Sequence, residues 1–84
     1  MEDGHSCQTI LARRMAEQFY DIPIAVTVFG DKVYGAYIGN WKPYELTAYT
    51  PMIATLAIEM GLFSNSQPGE IDGKEVTWWR NRRA

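Results

Sequence analysis

The fold of this chain is decided by residues 24–38, IAVTVFGDKVYGAYI. β-Branched and aromatic side chains dominate both halves of this stretch, and such residues favour β-strands. Between the halves, Gly30-Asp31 has the composition of a two-residue hairpin turn, because glycine adopts positive φ at the first turn position. Gly35 in the second strand predicts a bulge or the close approach of another backbone. The stretch therefore predicts an antiparallel hairpin around which the other elements assemble.

A first helix is predicted ahead of this hairpin. Ser6 suits the N-cap, and the helix extends to about Tyr20. Asp21 and Pro23 end it, because proline cannot continue a helix and biases the residue before it toward extended geometry. Apolar residues at i, i+3 and i+4 spacing predict a buried stripe on this helix formed by Cys7, Ile10, Leu11, Met15 and Phe19.

A second helix is predicted after the hairpin. Thr50 suits its N-cap, Pro51 suits the first helical position, and Gly61 supplies a C-terminal stop. Because the segment is almost entirely apolar, we expect it to lie against the sheet. Its predicted apolar face consists of Met52, Ile53, Leu56, Ala57 and Met60.

The remaining segments complete the order of elements. Residues 41–49 fit either a short third strand at 45–49 or the start of a helix, and we favour the strand. Residues 64–69 are predicted to be a loop because they are polar. Asp72-Gly73 predicts a turn, and residues 75–80 predict a last strand.

The order α-β-β-(β)-α-β predicts the α+β class: an antiparallel sheet of three or four strands with two helices packed on one face. The other face of the sheet is then partly open. A chain of 84 residues makes one domain. We expect that domain to span residues 6–80, after a disordered lead at residues 1–5 and before a basic tail at residues 81–84.

Metal ligands are scarce in the sequence. The chain has one histidine, His5, and one cysteine, Cys7, two positions apart near the N-terminus. A protein zinc site needs three or four ligands, and only Glu2 and Asp3 are close in sequence to this pair. The sequence therefore predicts no metal site and no cofactor.

Catalytic groups are equally scarce. A nucleophilic cysteine needs a base that forms the thiolate, and Cys7 lies on the predicted buried stripe of the first helix. Three carboxylates, Glu70, Asp72 and Glu75, are close in sequence, but they flank a predicted turn where solvent surrounds them. We therefore predict no catalytic residues and expect that the protein is not an enzyme.

The composition also bears on location. One cysteine cannot form an internal disulfide, and it gives no sign of an oxidising compartment. No apolar run approaches the roughly 18 residues that a transmembrane helix needs, and no basic start followed by an apolar segment predicts a signal peptide. We expect a cytoplasmic protein.

Aromatic residues are the positive signal for function. The chain has three tryptophans, five tyrosines and three phenylalanines. Trp78 and Trp79 are adjacent in a predicted strand, so their side chains lie on opposite faces and only one enters a given core. Exposed aromatics near arginine have the composition of interface hot spots. The residues predicted to bind a partner are Tyr34, Tyr37, Trp41, Trp79, Arg80, Arg82 and Arg83.

The charge distribution leaves more than one kind of partner open. Three of the eight Lys/Arg lie in residues 80–84, so residues 1–79 carry five against ten Asp/Glu. An acidic body repels phosphate, which favours a protein partner. The alternative is a small nucleic-acid-binding regulator, in which Trp79 stacks on bases and Arg80, Arg82 and Arg83 contact phosphates. A homodimer formed through an open sheet edge is a further possibility.

Residues 49–54, Tyr-Thr-Pro-Met-Ile-Ala, with Leu62-Phe63 after them, resemble the helix of small NinX-like proteins of tailed phages and prophages. In that family a Thr-Pro-Leu/Met-Ile-Ala start leads a helix after a pair of strands. This chain lacks the Trp-containing segment with a Gly-Gly pair that the family carries ahead of its hairpin. The resemblance implies no catalytic residues.

What the resemblance implies is an origin in a phage or another mobile element. Compact proteins of that origin often block a host complex. The sequence thus leads us to expect a non-enzymatic protein-binding module of the host cytoplasm. It would inhibit a host complex, such as a CRISPR effector or a nuclease, by steric occlusion.

Overall fold

The computed structural model describes residues 7–81. The lead predicted at residues 1–5, the predicted N-cap Ser6, and Arg82, Arg83 and Ala84 of the predicted tail lie outside the described residues. The elements in chain order are α1 (Cys7–Gln18), β1 (Ile24–Phe29), β2 (Lys32–Tyr37), β3 (Tyr44–Glu45), α2 (Pro51–Glu59), β4 (Phe63–Ile71) and β5 (Lys74–Asn81).

The five strands form one antiparallel sheet in the order β3-β2-β1-β5-β4. The α+β class is confirmed. The two predicted helices are present, and the sheet has five strands where three or four were predicted. Two layers result, because both helices cover the same side of the sheet. We call the covered side the helix face and the other side the open face. No helix within residues 7–81 is long and apolar enough to cross a membrane.

The hairpin of β1 and β2 forms as the sequence predicts. Gly30 opens its turn with φ of 65°, and every residue of β1 pairs with one of β2. Gly35 lies opposite Val26 in regular register, so the predicted bulge is wrong. A Cβ atom at Gly35 would lie 3.1 Å from the side chains of Ile24 and Leu46. The glycine therefore makes room for neighbouring side chains and not for another backbone.

The prediction of a loop at residues 64–69 is wrong, because these residues belong to β4. Their exposure alternates along the strand, and they pair with β5 through the Asp72-Gly73 turn. β4 is an edge strand, so polar side chains remain in solvent and Pro68 is tolerated. Because residues 64–70 are polar, Gly or Pro on both faces of the strand, they lack the alternation of apolar and polar residues by which strands are recognised.

The buried stripe predicted on α1 is partly wrong. Met15 and Phe19 are buried, but Cys7, Ile10 and Leu11 are exposed. α1 instead contributes mainly small residues to the buried cluster that it shares with α2, whose Ala54 and Ala57 are fully buried. The buried side chains of α1 are Thr9, Ala12, Met15 and Ala16.

α2 begins and ends as predicted. The Thr50 hydroxyl oxygen accepts a hydrogen bond from the Ile53 N–H at 3.3 Å, and Pro51 is the first helical residue. Gly61 follows the helix with φ of 80°. Its predicted apolar face is not uniformly buried, because Met52 is 59% exposed.

The third strand is present but earlier and shorter than the predicted 45–49. It consists of Tyr44–Glu45, which pair with Gly35 and Tyr34 of β2. Tyr49 instead lies beyond the strand, where its ring meets that of Phe19 edge to face at 5.6 Å. The chain leaves the sheet after Glu45, and Tyr49 packs against the cluster between the sheet and the helices.

Each face of the sheet carries its own apolar cluster. The larger cluster lies between the helix face and the two helices, and Trp79 packs at its margin. The smaller cluster lies on the open face around Trp78, which is only 2% exposed, with Ala25, Ala36 and Ile71. The adjacent tryptophans thus lie on opposite faces as predicted, and each indole packs against an apolar cluster.

Candidate protein-binding surface

Two tyrosines stack against each other at the end of the sheet. Tyr37 is the last residue of β2 and Tyr44 the first of β3. Because Tyr44 is opposite Gly35, it shares a face with Tyr37 and is its diagonal neighbour. The ring centroids are 6.1 Å apart with an interplanar angle of 26°. Both rings remain accessible, at 51% for Tyr37 and 38% for Tyr44.

The surroundings of Tyr44 raise the pKa of its phenol. Partial burial raises the pKa of the Tyr44 phenol, and the neighbouring Tyr37 phenol raises it further through charge and hydrogen bonding. Both influences favour the neutral, protonated phenol. At neutral pH Tyr44 therefore contributes an uncharged aromatic ring to the pair.

The turn after β2 connects this pair to the open face. The backbone N–H groups of Asn40 and Trp41 both donate to the Tyr37 carbonyl oxygen, at 3.0 and 2.9 Å. Trp41 adopts φ of 60°, a left-handed conformation that is uncommon for a bulky residue. Its ring lies 6.0 Å from that of Trp78. The Trp41–Trp78 contact thus holds the turn that bears Tyr37.

Tyr34 belongs to the open face. Its ring meets that of Phe29 edge to face at 6.1 Å, and both border the cluster around Trp78. Beside them, the Lys32 ammonium lies 3.6 Å from the Glu45 carboxylate. Tyr34 and Trp41 therefore share one cluster, whereas Tyr37 projects from the other face of β2.

Trp79 and Arg80 are consecutive in β5, so they lie on opposite faces of the sheet. Trp79 pairs with Val26 and lines a groove on the helix face, whereas Arg80 pairs with Ala25. The Nε atom of Arg80 is buried and has no hydrogen-bond partner within residues 7–81. The structure thus separates Trp79 from Arg80, and the other two predicted contacts, Arg82 and Arg83, are outside the described residues.

The groove beside Trp79 has a volume of about 940 Å³ and lies between α2 and the β4–β5 hairpin. Its rim carries Glu59, Glu70 and Glu75. The sequence analysis did not assign this groove, because Glu70 was placed beside a loop and not in a strand. Tyr44 was also missed, although it lies in the most aromatic segment of the chain.

Within the described part of the chain, no three side chains of His, Cys, Asp or Glu converge as a metal site would require. Comparison with protein-family models, with curated proteins and with solved structures finds no match for this chain.

Proposed function

We propose that this protein is a non-enzymatic protein-binding module that contacts its partner through Tyr37 and Tyr44, which we call the tyrosine surface. The observation that carries the proposal is the exposed, stacked pair itself. Tyrosine is enriched at interface hot spots, because it adds a large contact area and a hydroxyl group with few rotatable bonds.

Pre-ordering supports this use of the pair. Each ring restricts the rotamers of the other, and the Trp41 turn fixes the backbone of Tyr37 through two hydrogen bonds. Side chains that are ordered before binding lose less conformational entropy when a partner covers them. A partner that buries both rings therefore gains contact area at a reduced entropic cost.

The resemblance of residues 49–54 to phage proteins suggests which partner is involved. We propose a host protein or complex, such as a CRISPR effector or a nuclease, that the bound module blocks by steric occlusion in the host cytoplasm. A protein partner fits this geometry better than nucleic acid does. Trp79 and Arg80 are on opposite faces, and the groove that Trp79 lines carries three glutamates, so stacking and phosphate contact do not converge on one surface.

The proposal is tested by capture from lysate of the host cell with tagged wild-type protein and with the double variant Tyr37→Ala/Tyr44→Ala. We expect wild type to retain a defined host protein and the double variant to lose it. In calorimetry with that purified partner, removal of each hot-spot ring is expected to cost about 2 kcal/mol of binding free energy.

The matched control is Tyr20→Ala, which removes an exposed tyrosine at the end of α1. It should retain the partner. Urea unfolding of all variants distinguishes lost binding from lost folding. If the double variant is folded and binds the partner as tightly as wild type, the tyrosine surface is not the interface.

A further inference from the structure

The pairing between the neighbouring strands β1 and β5 is incomplete. β1 and β5 pair only at Ala25–Arg80 and Val26–Trp79. No further residue pair joins the two strands, so Lys74–Trp78 of β5 have no strand partner on the side of β1 among the described residues. Residues 27–29 of β1 likewise pair only with β2. Two backbone edges thus face each other across an opening.

This opening is the groove beside Trp79. β1 contributes Val28 to its lining, β5 contributes Thr77, and α2 contributes Ile58. Trp79, which pairs with Val26 of β1, also lines it. The groove therefore combines backbone that has no strand partner with apolar side chains.

The rim of the groove is acidic. Glu70 and Glu75 are directly opposite in the β4–β5 register, so their Cβ atoms are about 4.5–5.5 Å apart. Like charges in such a pair repel each other. Glu59 of α2 adds a third carboxylate to the lining, and no lysine or arginine among residues 7–81 lines the groove. A cationic ligand would relieve this repulsion.

We propose that the groove binds an extended, lysine- or arginine-bearing segment of another protein, which adds as a strand to the free edge of β5. Strand addition uses backbone hydrogen bonds for affinity and alternate side chains for selectivity. With about 3.3 Å per residue, the five residues of the free edge accommodate a segment of about five residues. Its basic side chains face Glu59, Glu70 and Glu75, and its apolar side chains face Ile58 and Trp79.

The groove shares no residue with the tyrosine surface, so this proposal stands independently of the proposed function.

The test uses a fluorescein-labelled peptide of five Lys-Val repeats and measures its anisotropy with the full-length protein. We expect saturable binding, and amide shifts in NMR spectra at Val28, Glu75 and Thr77. A Glu-Val peptide of equal length should not bind. A Lys-Val peptide that is N-methylated at every residue should not bind either, because neither of its edges has N–H donors.

The protein variant is Glu70→Gln/Glu75→Gln, which keeps side-chain volume and removes both charges. We expect it to bind the Lys-Val peptide about five-fold more weakly, as the loss of two exposed ion pairs implies. The charge-matched control Glu17→Gln/Asp21→Asn should bind like wild type.

Three results would overturn the proposal: no saturable binding of the Lys-Val peptide, equal binding of its N-methylated form, or equal loss of affinity in the control variant. Amide shifts confined to Tyr37 and Tyr44 would also overturn it, since the peptide would then occupy the tyrosine surface. The Glu70→Gln/Glu75→Gln variant could also bind the peptide normally but self-associate. Glu70 and Glu75 would then serve to prevent pairing between the sheet edges of two copies, and the proposal would be wrong.

Discussion

Trp78 can lie flat on the open face only because the neighbouring strand has a glycine there. A Cβ atom at Gly69 would clash with the indole ring of Trp78, and Gly69 has no positive φ that would require glycine. The need for glycine at this position is therefore steric. Since Trp41 packs on Trp78, this space also supports the turn that positions Tyr37.

We expect Gly69→Ala to lower the free energy of unfolding by about 1–3 kcal/mol, the usual cost of overpacking. The gain from reduced backbone entropy of the unfolded chain is at most about 1 kcal/mol. Urea unfolding followed by tryptophan fluorescence measures the change. Ser66→Ala, on the same strand, should change stability by less than about 0.5 kcal/mol. Equal effects of the two substitutions would contradict the steric role of Gly69.

The tyrosine pair gives stability a defined dependence on pH. The pKa of Tyr44 is raised in the folded protein by partial burial and by Tyr37, and burial raises the pKa of Tyr49. A group whose pKa is higher in the folded state stabilises the fold below its unfolded pKa, about 10 for tyrosine. That contribution is lost as the pH rises through the folded pKa.

We therefore expect the free energy of unfolding to fall as the pH is raised above about 10, with a smaller fall in Tyr44→Phe. Urea unfolding of both proteins at a series of alkaline pH values measures the difference. The residual fall in Tyr44→Phe should shrink again when Tyr49→Phe is added. If Tyr44→Phe followed wild type at every pH, the pair would not be coupled as described.

At the scale of elements, the contact between α1 and α2 depends on small residues. Ala12, Ala54 and Ala57 are fully buried, whereas Leu11 is 47% exposed. These alanines belong to one buried cluster, in which a larger side chain would be overpacked. The hydrophobicity of a residue is therefore a poor guide to the buried side of α1.

We expect Ala12→Leu to destabilise the protein by about 1–3 kcal/mol through overpacking. Leu11→Ala should stay within about 0.5 kcal/mol of wild type, as exposed positions do. Thermal unfolding of the two variants separates the observed helix orientation from the stripe predicted by sequence. A large loss in Leu11→Ala with none in Ala12→Leu would mean that α1 is rotated.

Local chemistry explains which elements could be predicted. The Gly30-Asp31 turn and the Thr50-Pro51 start of α2 have signals within a few residues, and both are found where predicted. β4 could not be recognised, because its polar residues form a strand only by pairing with β5. Such pairing is a tertiary fact that no short window of sequence contains.

The same reasoning applies to the candidate site. Tyr37 and Trp41 were predicted as contacts because aromatic residues are concentrated in this segment of the chain. The acidic groove was missed because its location depends on β4 being a strand, which brings Glu70 opposite Glu75. The separation of Trp79 from Arg80 follows from strand alternation alone and was available from the sequence.

At the scale of the whole molecule, the sheet separates charge between its faces. Strand alternation places Lys32, Lys74 and Arg80 on the open face with Glu45, whereas the helix face carries Glu70 and Glu75. A formal net charge of −2 thus conceals two unlike surfaces. This asymmetry gives the molecule distinct sides, as expected of a module that contacts partners in a fixed orientation.

The most direct test of the proposed function is site-specific photo-crosslinking in the host cell, with p-benzoylphenylalanine in place of Tyr37. We expect one covalent adduct with a host protein, strongly reduced when Tyr44→Ala is added, and absent when the photoreactive residue replaces Tyr20 instead. Adducts only with nucleic acid, adducts only with a second copy of the chain, or equal protein adducts from positions 37 and 20 would contradict the tyrosine surface as a protein-binding site.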